Sequence, residues 1–183
     1  MKIALFGGSF DPPHFGHDAI VKKALQSLDI DKLIIIPTFI SPFKSSFKAD
    51  EKKRFEWVSL IWRNLERLEI SDYELLQKRP VPSIETVEFF EKKYECDKIY
   101  LIIGADHLEK LSSWYRYEDL RKKVEFVVAK RGEIKIPKSF KILDISADIS
   151  SSFIRENLYI KAVDTHIKDD VFKCYCKDKN EKS

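Results

Sequence analysis

Cysteine, long apolar runs and an excess of charge of one sign are all scarce in this sequence of 183 residues, and each shortage excludes a class of protein. The three cysteines are an odd number, and the C-x-C spacing of Cys174 and Cys176 lacks the C-x-x-C pattern of redox and zinc motifs. We therefore interpret these two and Cys96 as thiols that form no disulfide. No apolar run approaches the roughly 18 residues of a membrane-spanning helix, so the sequence predicts a soluble globular protein with no membrane contact.

The charge balance argues against a nucleic-acid partner. The 33 basic and 30 acidic residues leave a net charge of only +3, which is too small to indicate a nucleic-acid surface by itself. The basic residues are also scattered among acidic ones, as in Asp50 to Arg54, a pattern typical of solvated helix faces. The N-terminus leads directly into an apolar run with no charged n-region or cleavage site, so we expect a cytoplasmic protein.

Short apolar runs rich in Ile and Val predict strands that are buried on both faces, as in a parallel sheet. Segments with helical spacing of apolar residues lie between these runs. This alternation from residue 2 to about residue 129 predicts a doubly wound, Rossmann-like α/β fold with three layers, α/β/α. The predicted strands are Lys2 to Phe6, Leu33 to Ile36, Ile99 to Ile103 and Val124 to Ala129. The predicted helices are Ile20 to Leu28, Phe55 to Leu65, Ile84 to Tyr94 and the shorter His107 to Leu111.

The chain length fits one domain that spans residues 1–183. No internal repeat or linker divides it. The polar, Lys-rich tail from Lys177 to Ser183 is expected to fray.

The stretch GGSFDPPHFGH, from Gly7 to His17, holds three of the five glycines and two of the four histidines. It follows the first predicted strand, and open α/β sheets bind ligands at the carboxyl ends of their strands. Its glycines let the backbone approach a ligand closely, and its prolines stiffen the loop. His14 and His17 then fall around the first helical turn, where N–H donors and the helix dipole favour a phosphate.

Two common phosphate motifs are absent from this loop. It matches neither the Walker pattern G-x-x-x-x-G-K-[ST] nor the dinucleotide pattern G-x-G-x-x-G, which argues against a kinase or a dehydrogenase. A histidine at a helix start is often only a cap, and a Gly-Gly pair is often only a turn. Their combination after a strand nevertheless favours an anion site.

The segment HFGH (His14 to His17) behind GSFDPP (Gly8 to Pro13) resembles the H-x-G-H signature of the nucleotidylyltransferase superfamily. The superfamily also has a downstream I-S-S-T-x-I-R motif, and this chain carries ISSSFIR from Ile149 to Arg155. Serine hydroxyls at a helix start and the guanidinium of Arg155 suit phosphate oxygens, although a plain serine N-cap is the alternative for any one serine.

Three further segments resemble bacterial nicotinate-nucleotide adenylyltransferases, so that the resemblance covers nearly the whole chain. IIGADHLEKLSSWY (Ile102 to Tyr115) is similar to the family segment G-A-D-x-L...W-Y. VVAKR (Val127 to Arg131) is similar to the strand that ends in Lys/Arg-Arg, and RPVPSIETV (Arg79 to Val87) to the stretch P-S-Y-T-x-x-T-V. The resemblance implies transfer of the AMP part of ATP to nicotinate mononucleotide, with release of pyrophosphate.

The resemblance also implies roles for individual residues. Catalysis would fall to His14, His17, Lys44 and Arg155. ATP would contact Gly7, Gly8, Ser9, Phe10, His14, His17, Gly104, Asp106, Arg131, Ser150, Ser151, Ser152, Ile154 and Arg155. The mononucleotide would contact Ser83, Thr86, Trp114 and Tyr115, with its pyridine ring against Trp114 unless that ring is only part of the core.

Some positions depart from the family pattern. Val81 and Pro82 replace a Ser-Tyr pair, Phe43 replaces the histidine of P-P-H-K, and Glu133 follows Gly132 where many relatives have K-R-P-G. The first three departures fall next to residues with an implied role.

The implied reaction shapes the expected cofactor and protonation states. Nothing in the sequence forms a dedicated metal cage, so we expect Mg²⁺ to arrive with ATP and Asp11 to shape its loop instead. An ionised phosphate needs no general base, so we expect in-line attack without a covalent intermediate. Phosphates around His14 and His17 should favour the imidazolium form.

Two other functions stay open at this point. A phosphopantetheine adenylyltransferase shares the histidine and serine motifs, but such chains are usually shorter and lack the G-A-D...W-Y segment. A nucleotide-binding sensor could keep the same fold without turnover. The oligomeric state and the preference for the acid over the amide mononucleotide do not follow from the sequence.

Overall fold

The computed structural model describes residues 1–40, 47–130, 135–145 and 149–180, except for the side chains of 177–180. Within these ranges six parallel strands form one sheet in the order β3-β2-β1-β4-β5-β6. The strands are β1 Lys2–Gly8, β2 Lys32–Pro37, β3 Leu68–Ile70, β4 Lys98–Gly104, β5 Glu125–Lys130 and β6 Lys141–Asp144. The helices are α1 Phe15–Ser27, α2 Glu51–Trp62, α3 Tyr73–Leu76, α4 Ser83–Tyr94, α5 Tyr117–Lys123, α6 Ser151–Asn157 and α7 Lys168–Asn180. Two segments are 3₁₀-helical, Ala105–Ser113 and Ile160–Ala162.

The core lies on both faces of the sheet because successive side chains of a strand point to opposite faces. Ala4 and Phe6 of β1 pack with residues of α1 and α2 on one face, while Ile3 and Leu5 pack with α4 and α5 on the other. This arrangement confirms the predicted three-layer, doubly wound fold. A third cluster joins α2, α6 and α7 beside the sheet and includes Trp57.

The order of the strands creates a switch point at β1. The chain winds from β1 towards β2 and β3 on one side, whereas β4 pairs with β1 on the other. Phe6 lies opposite Ile102 in this pairing, so Gly8 and Gly104 end at the same edge. Ligands of open α/β sheets bind in the crevice at this position.

The structure differs from the sequence predictions at several elements. His107 to Leu111 lies inside a 3₁₀-helix rather than an α-helix. The helix α7 is assigned as far as Asn180, and the expected fraying of the tail from Lys177 stays a prediction. Strands β3 and β6 have only three and four residues, which gives them too little pattern to detect. All three cysteines lie in the described part of the chain and none forms a disulfide. Of the described helices, none is long and apolar enough to cross a membrane.

Candidate active site

The Asp11 carboxylate holds the loop between β1 and α1 in place. It is only 2% exposed and accepts three hydrogen bonds. Its Oδ1 accepts from the Ala49 N–H at 3.0 Å and from the Tyr175 hydroxyl at 2.7 Å, and its Oδ2 accepts from the Lys48 N–H at 3.0 Å. The expectation that Asp11 shapes its loop is therefore confirmed.

His14 and His17 form a reciprocal cap at the start of α1. The Nδ1 atom of His14 accepts from the Gly16 N–H at 3.1 Å, and Nδ1 of His17 accepts from the His14 N–H at 3.2 Å. The two rings are stacked, with centroids 3.8 Å apart. His14 is buried, whereas His17 is partly exposed.

This cap fixes which nitrogen of each ring faces the backbone. A nitrogen that accepts a hydrogen bond carries no proton, so the proton of each neutral ring sits on Nε2 and each ring has one N–H to donate. A proton on Nδ1 would break the bond to the backbone. The expectation that bound phosphates favour the imidazolium form of His14 and His17 stays a prediction.

Gly16 explains the spacing of the histidine motif. A Cβ atom on Gly16 would lie 2.9 Å from two atoms of the His14 ring and 3.2 Å from a methyl group of Ile149. Any other residue would therefore displace the ring or the segment before α6. Glycine is required here by close packing within the motif.

Two residues expected to contact ATP lie inside the protein. Phe10 is fully buried, has a left-handed backbone (φ 47°), and packs edge-on against His17 with the centroids 4.9 Å apart. Ile154 is 1% exposed and lies in the cluster with Trp57. Both side chains support the site from the core, so the expected contact of each residue with ATP would fall to its backbone and stays a prediction.

The second motif contacts the first directly. Ser150 caps α6 by accepting from the Phe153 N–H at 3.2 Å, and the Ser151 hydroxyl donates to the Pro12 carbonyl at 2.9 Å. The Arg155 guanidinium donates to the carbonyl of Asp11 and, at 3.1 Å, to the Ser152 hydroxyl. Motifs that are far apart in the sequence therefore meet at the carboxyl end of β1, as the resemblance implies.

Arg54 is a structural residue that the sequence analysis missed. It is 1% exposed and donates to three carbonyls, those of Ser9 at 2.7 Å, Phe39 at 3.1 Å and Ala49 at 3.2 Å. It thus ties the loop after β1 to the segments on either side of residues 41–46. The prediction of a solvated face from Asp50 to Arg54 is wrong at Arg54 because this side chain is buried. Its burial also lowers the pKa of the guanidinium. Its place on the buried stripe of α2 with Trp57 and Val58 was the available signal.

The other half of the site surrounds the turn at Trp114. Gly104 ends β4, and Asp106 is exposed in the 3₁₀-helix that follows. Trp114 is partly buried and contacts the His107 ring edge-on, while Tyr115 is 64% exposed. The turn is held against α4, because Arg116 pairs with Glu88 at 3.1 Å.

Thr86 lies on α4 with its hydroxyl proton already in use. It donates to Oε1 of Glu74 at 2.7 Å, and both residues are buried. Burial raises the pKa of Glu74 to about 7, against the opposing effect of the bond from Thr86. While Glu74 is ionised, the Thr86 hydroxyl is an acceptor for any further partner. Ser83, at the start of the same helix, is partly exposed.

Lys44, with an implied role at the phosphates, and Arg131, with an implied contact to ATP, lie outside the described residues, as do Phe43 and Glu133. Among the residues that the structure describes, no group of three or more His, Cys, Asp and Glu side chains could hold a metal ion.

Comparison with known proteins agrees with this geometry. The cytidylyltransferase-like family matches residues 5–157. A probable nicotinate-nucleotide adenylyltransferase of Campylobacter jejuni is 59% identical over 96% of this chain and 97% of its own. The chain belongs to the nicotinate-nucleotide adenylyltransferase family. A relative of the same name from Aliarcobacter butzleri is 47% identical over 93% of this chain and 95% of its own.

The nicotinate-nucleotide adenylyltransferase fold also occurs in a distant solved structure. A Plasmodium falciparum nicotinic acid mononucleotide adenylyltransferase complexed with NaAD has a TM-score of 0.74 at 22% identity, covering 96% of this chain and 95% of that one. This likeness supports the fold alone.

Replacing Arg54 tests the buried link between the segments. Arg54→Met leaves three carbonyls without this buried donor, so we expect the free energy of unfolding to fall by about 2–4 kcal/mol in chemical denaturation. The matched control, Lys52→Met on the exposed side of α2, should change it by less than about 0.5 kcal/mol. Equal effects of the two substitutions would refute the role assigned to Arg54.

Replacing Glu74 tests its buried environment. The pKa of about 7 lies above the ordinary 4.5, so the fold favours the neutral acid and loses this stabilisation as the pH rises through 7. Glu74→Gln keeps an acceptor for Thr86, and its free energy of unfolding should depend less on pH than that of the wild type. From about pH 5 to about pH 8 we expect wild type to lose up to about 3 kcal/mol relative to the variant. Parallel pH curves from chemical denaturation would contradict this environment.

Proposed function

We infer that this protein joins the AMP part of ATP to nicotinate mononucleotide, giving nicotinate adenine dinucleotide and pyrophosphate. The observation that carries this function is the meeting of the H-x-G-H helix start with the serine-arginine turn at the switch point of the sheet. Relatives of nearly the same length that share 47–59% of their residues are named for this activity. The solved Plasmodium neighbours complexed with NaAD and with APC agree with nucleotide substrates.

We propose that ATP binds with its phosphates at the start of α1. The Nε2–H groups of His14 and His17 donate to phosphate oxygens there, and Arg155 supplies a positive charge from the facing turn. His17 has the larger share of this contact because it is more exposed than His14. Lys44 and Arg131 are also proposed to contact ATP, and this part of the proposal rests on the family resemblance.

In the proposed reaction, a phosphate oxygen of the mononucleotide attacks the α-phosphorus of ATP. The bond from the α-phosphorus to the bridging oxygen breaks, and pyrophosphate leaves with the electron pair. Both reactants are anions, so catalysis consists of aligning them and neutralising charge on the leaving oxygens. His14 and His17 serve this purpose as hydrogen-bond donors and need not transfer a proton.

The mononucleotide is proposed to bind at the Trp114 turn, its pyridine ring on the indole and its carboxylate near Ser83 and Tyr115. Thr86 borders this pocket as an acceptor, since its proton goes to Glu74. The adenosine half of ATP would lie against Gly104 and Asp106.

Magnesium is proposed to enter as part of the ATP complex. Both oxygens of Asp11, the carboxylate of the first loop, already accept hydrogen bonds from protein donors. Mg²⁺ would therefore depend on phosphate oxygens and water for its ligands.

Pyrophosphate release by purified protein with ATP and Mg²⁺ tests this function. Nicotinate mononucleotide, nicotinamide mononucleotide and phosphopantetheine are offered in parallel. We expect release with nicotinate mononucleotide, faster than with its amide, because the pocket is proposed to receive a carboxylate. Release with phosphopantetheine alone would indicate the other adenylyltransferase, and no release with any of the three would favour a sensor.

Substitution of His17 tests the proposed phosphate contact. His17→Ala removes one preorganised donor, so kcat should fall by about 100-fold or more, as measured by the same assay. His166→Ala is the control, because His166 is exposed and contacts Asp164 instead. Near wild-type turnover in His17→Ala would refute the assignment.

A further inference from the structure

The C-terminal helix α7 lies beyond residues 5–157, which the family pattern matches, but it is packed into the protein. Its Val171 and Tyr175 are buried in the cluster that contains Trp57 and Ile154. A helix outside the family pattern thus shares a core with α6, which carries the serine-arginine motif.

The polar contacts of Asp170 and Tyr175 join α7 to different parts of the chain. The Asp170 carboxylate accepts from Trp57 Nε1 at 2.7 Å and from Lys53 Nζ at 2.9 Å, so it anchors α7 to α2. The Tyr175 hydroxyl instead donates to Oδ1 of Asp11 at 2.7 Å, inside the loop between β1 and α1. Burial raises the pKa of Tyr175, and the nearby charge of Asp11 raises it further. The phenol therefore keeps its proton and remains a donor.

Arg155 lies close to the Asp11 carboxylate that accepts from Tyr175. Nη1 of Arg155 lies 3.7 Å from Oδ2 of Asp11, which is beyond hydrogen-bonding distance, and it donates to the Asp11 carbonyl instead. A buried carboxylate requires its hydrogen bonds. Without the Tyr175 hydroxyl, Asp11 would lose one of the three donors found among the described residues, and Arg155 is a cation close enough to replace it.

We propose that Tyr175 is a positioning residue for ATP binding, which satisfies the Asp11 carboxylate from α7 and so keeps the Arg155 guanidinium available for phosphate. This inference rests on the proposed function for the identity of the anion. It assigns the helix beyond the family pattern a direct part in the phosphate site.

Tyr175→Phe is the test, because it removes the hydroxyl and keeps the ring that packs near Trp57. Affinity for a non-hydrolysable ATP analogue is measured by calorimetry, together with kcat, both KM values and the thermal midpoint. We expect the analogue to bind about tenfold more weakly and kcat to fall about tenfold, with KM for the mononucleotide unchanged.

Asp170→Asn is the matched control on the same helix. It weakens the anchor to Trp57 and Lys53 but leaves the contact with Asp11, so the thermal midpoint should fall while ATP affinity stays at the wild-type value. If Asp170→Asn weakens ATP binding as much as Tyr175→Phe does, α7 acts only by general stabilisation and the proposal is wrong.

The route through Arg155 is tested by combining substitutions. In an Arg155→Met background, adding Tyr175→Phe should cause no further loss of ATP affinity, because the guanidinium that would otherwise turn towards Asp11 is already absent. Independent, additive losses would overturn the proposal. If wild-type protein binds the analogue but does not turn over nicotinate mononucleotide, the proposed function is wrong, and the double-substitution test of Tyr175 remains valid. If wild-type protein does not bind the analogue, both proposals are wrong.

Discussion

The buried carboxylate of Asp11 is the constraint on which the rest of the site depends. A charged group with almost no exposure is stable only when protein donors replace water. Those donors come from the segment before α2 and from α7, and Arg155 of α6 binds the carbonyl of the same residue. The loop that carries His14 is thereby fixed by three parts of the chain before any ligand binds.

Hydrogen bonds to the backbone also fix the two imidazole rings of His14 and His17. Each Nδ1 is used to cap the helix, which leaves each Nε2–H as a donor in a defined place. Gly16 makes this stacking possible, and Phe10 supports His17 from the core. The loop therefore offers hydrogen-bond donors of fixed direction, and Arg155 adds a permanent positive charge from α6.

Much of this could be predicted from the sequence, because strands of Ile and Val and a loop of glycines and histidines have strong local patterns. The contact between the two motifs followed from the family resemblance. The helical period of α2 could indicate that Arg54 is buried. The acceptors of Arg54 and Tyr175 could not be found in this way, since they are a distant backbone and a distant carboxylate. The burial of the Phe10 ring could not be predicted from the loop sequence, because it depends on a left-handed backbone and on packing against His17.

The central claim is that ATP phosphates bind between the start of α1 and the serine-arginine turn while the pyridine ring lies on Trp114. The most direct measurement is a crystal structure of the protein with a non-hydrolysable ATP analogue and nicotinate mononucleotide. We expect Nε2 of His17 and the Arg155 guanidinium within hydrogen-bonding distance of phosphate oxygens, and the attacking oxygen in line with the α-phosphorus. Phosphates bound away from both motifs, or a pyridine ring remote from Trp114, would contradict the account.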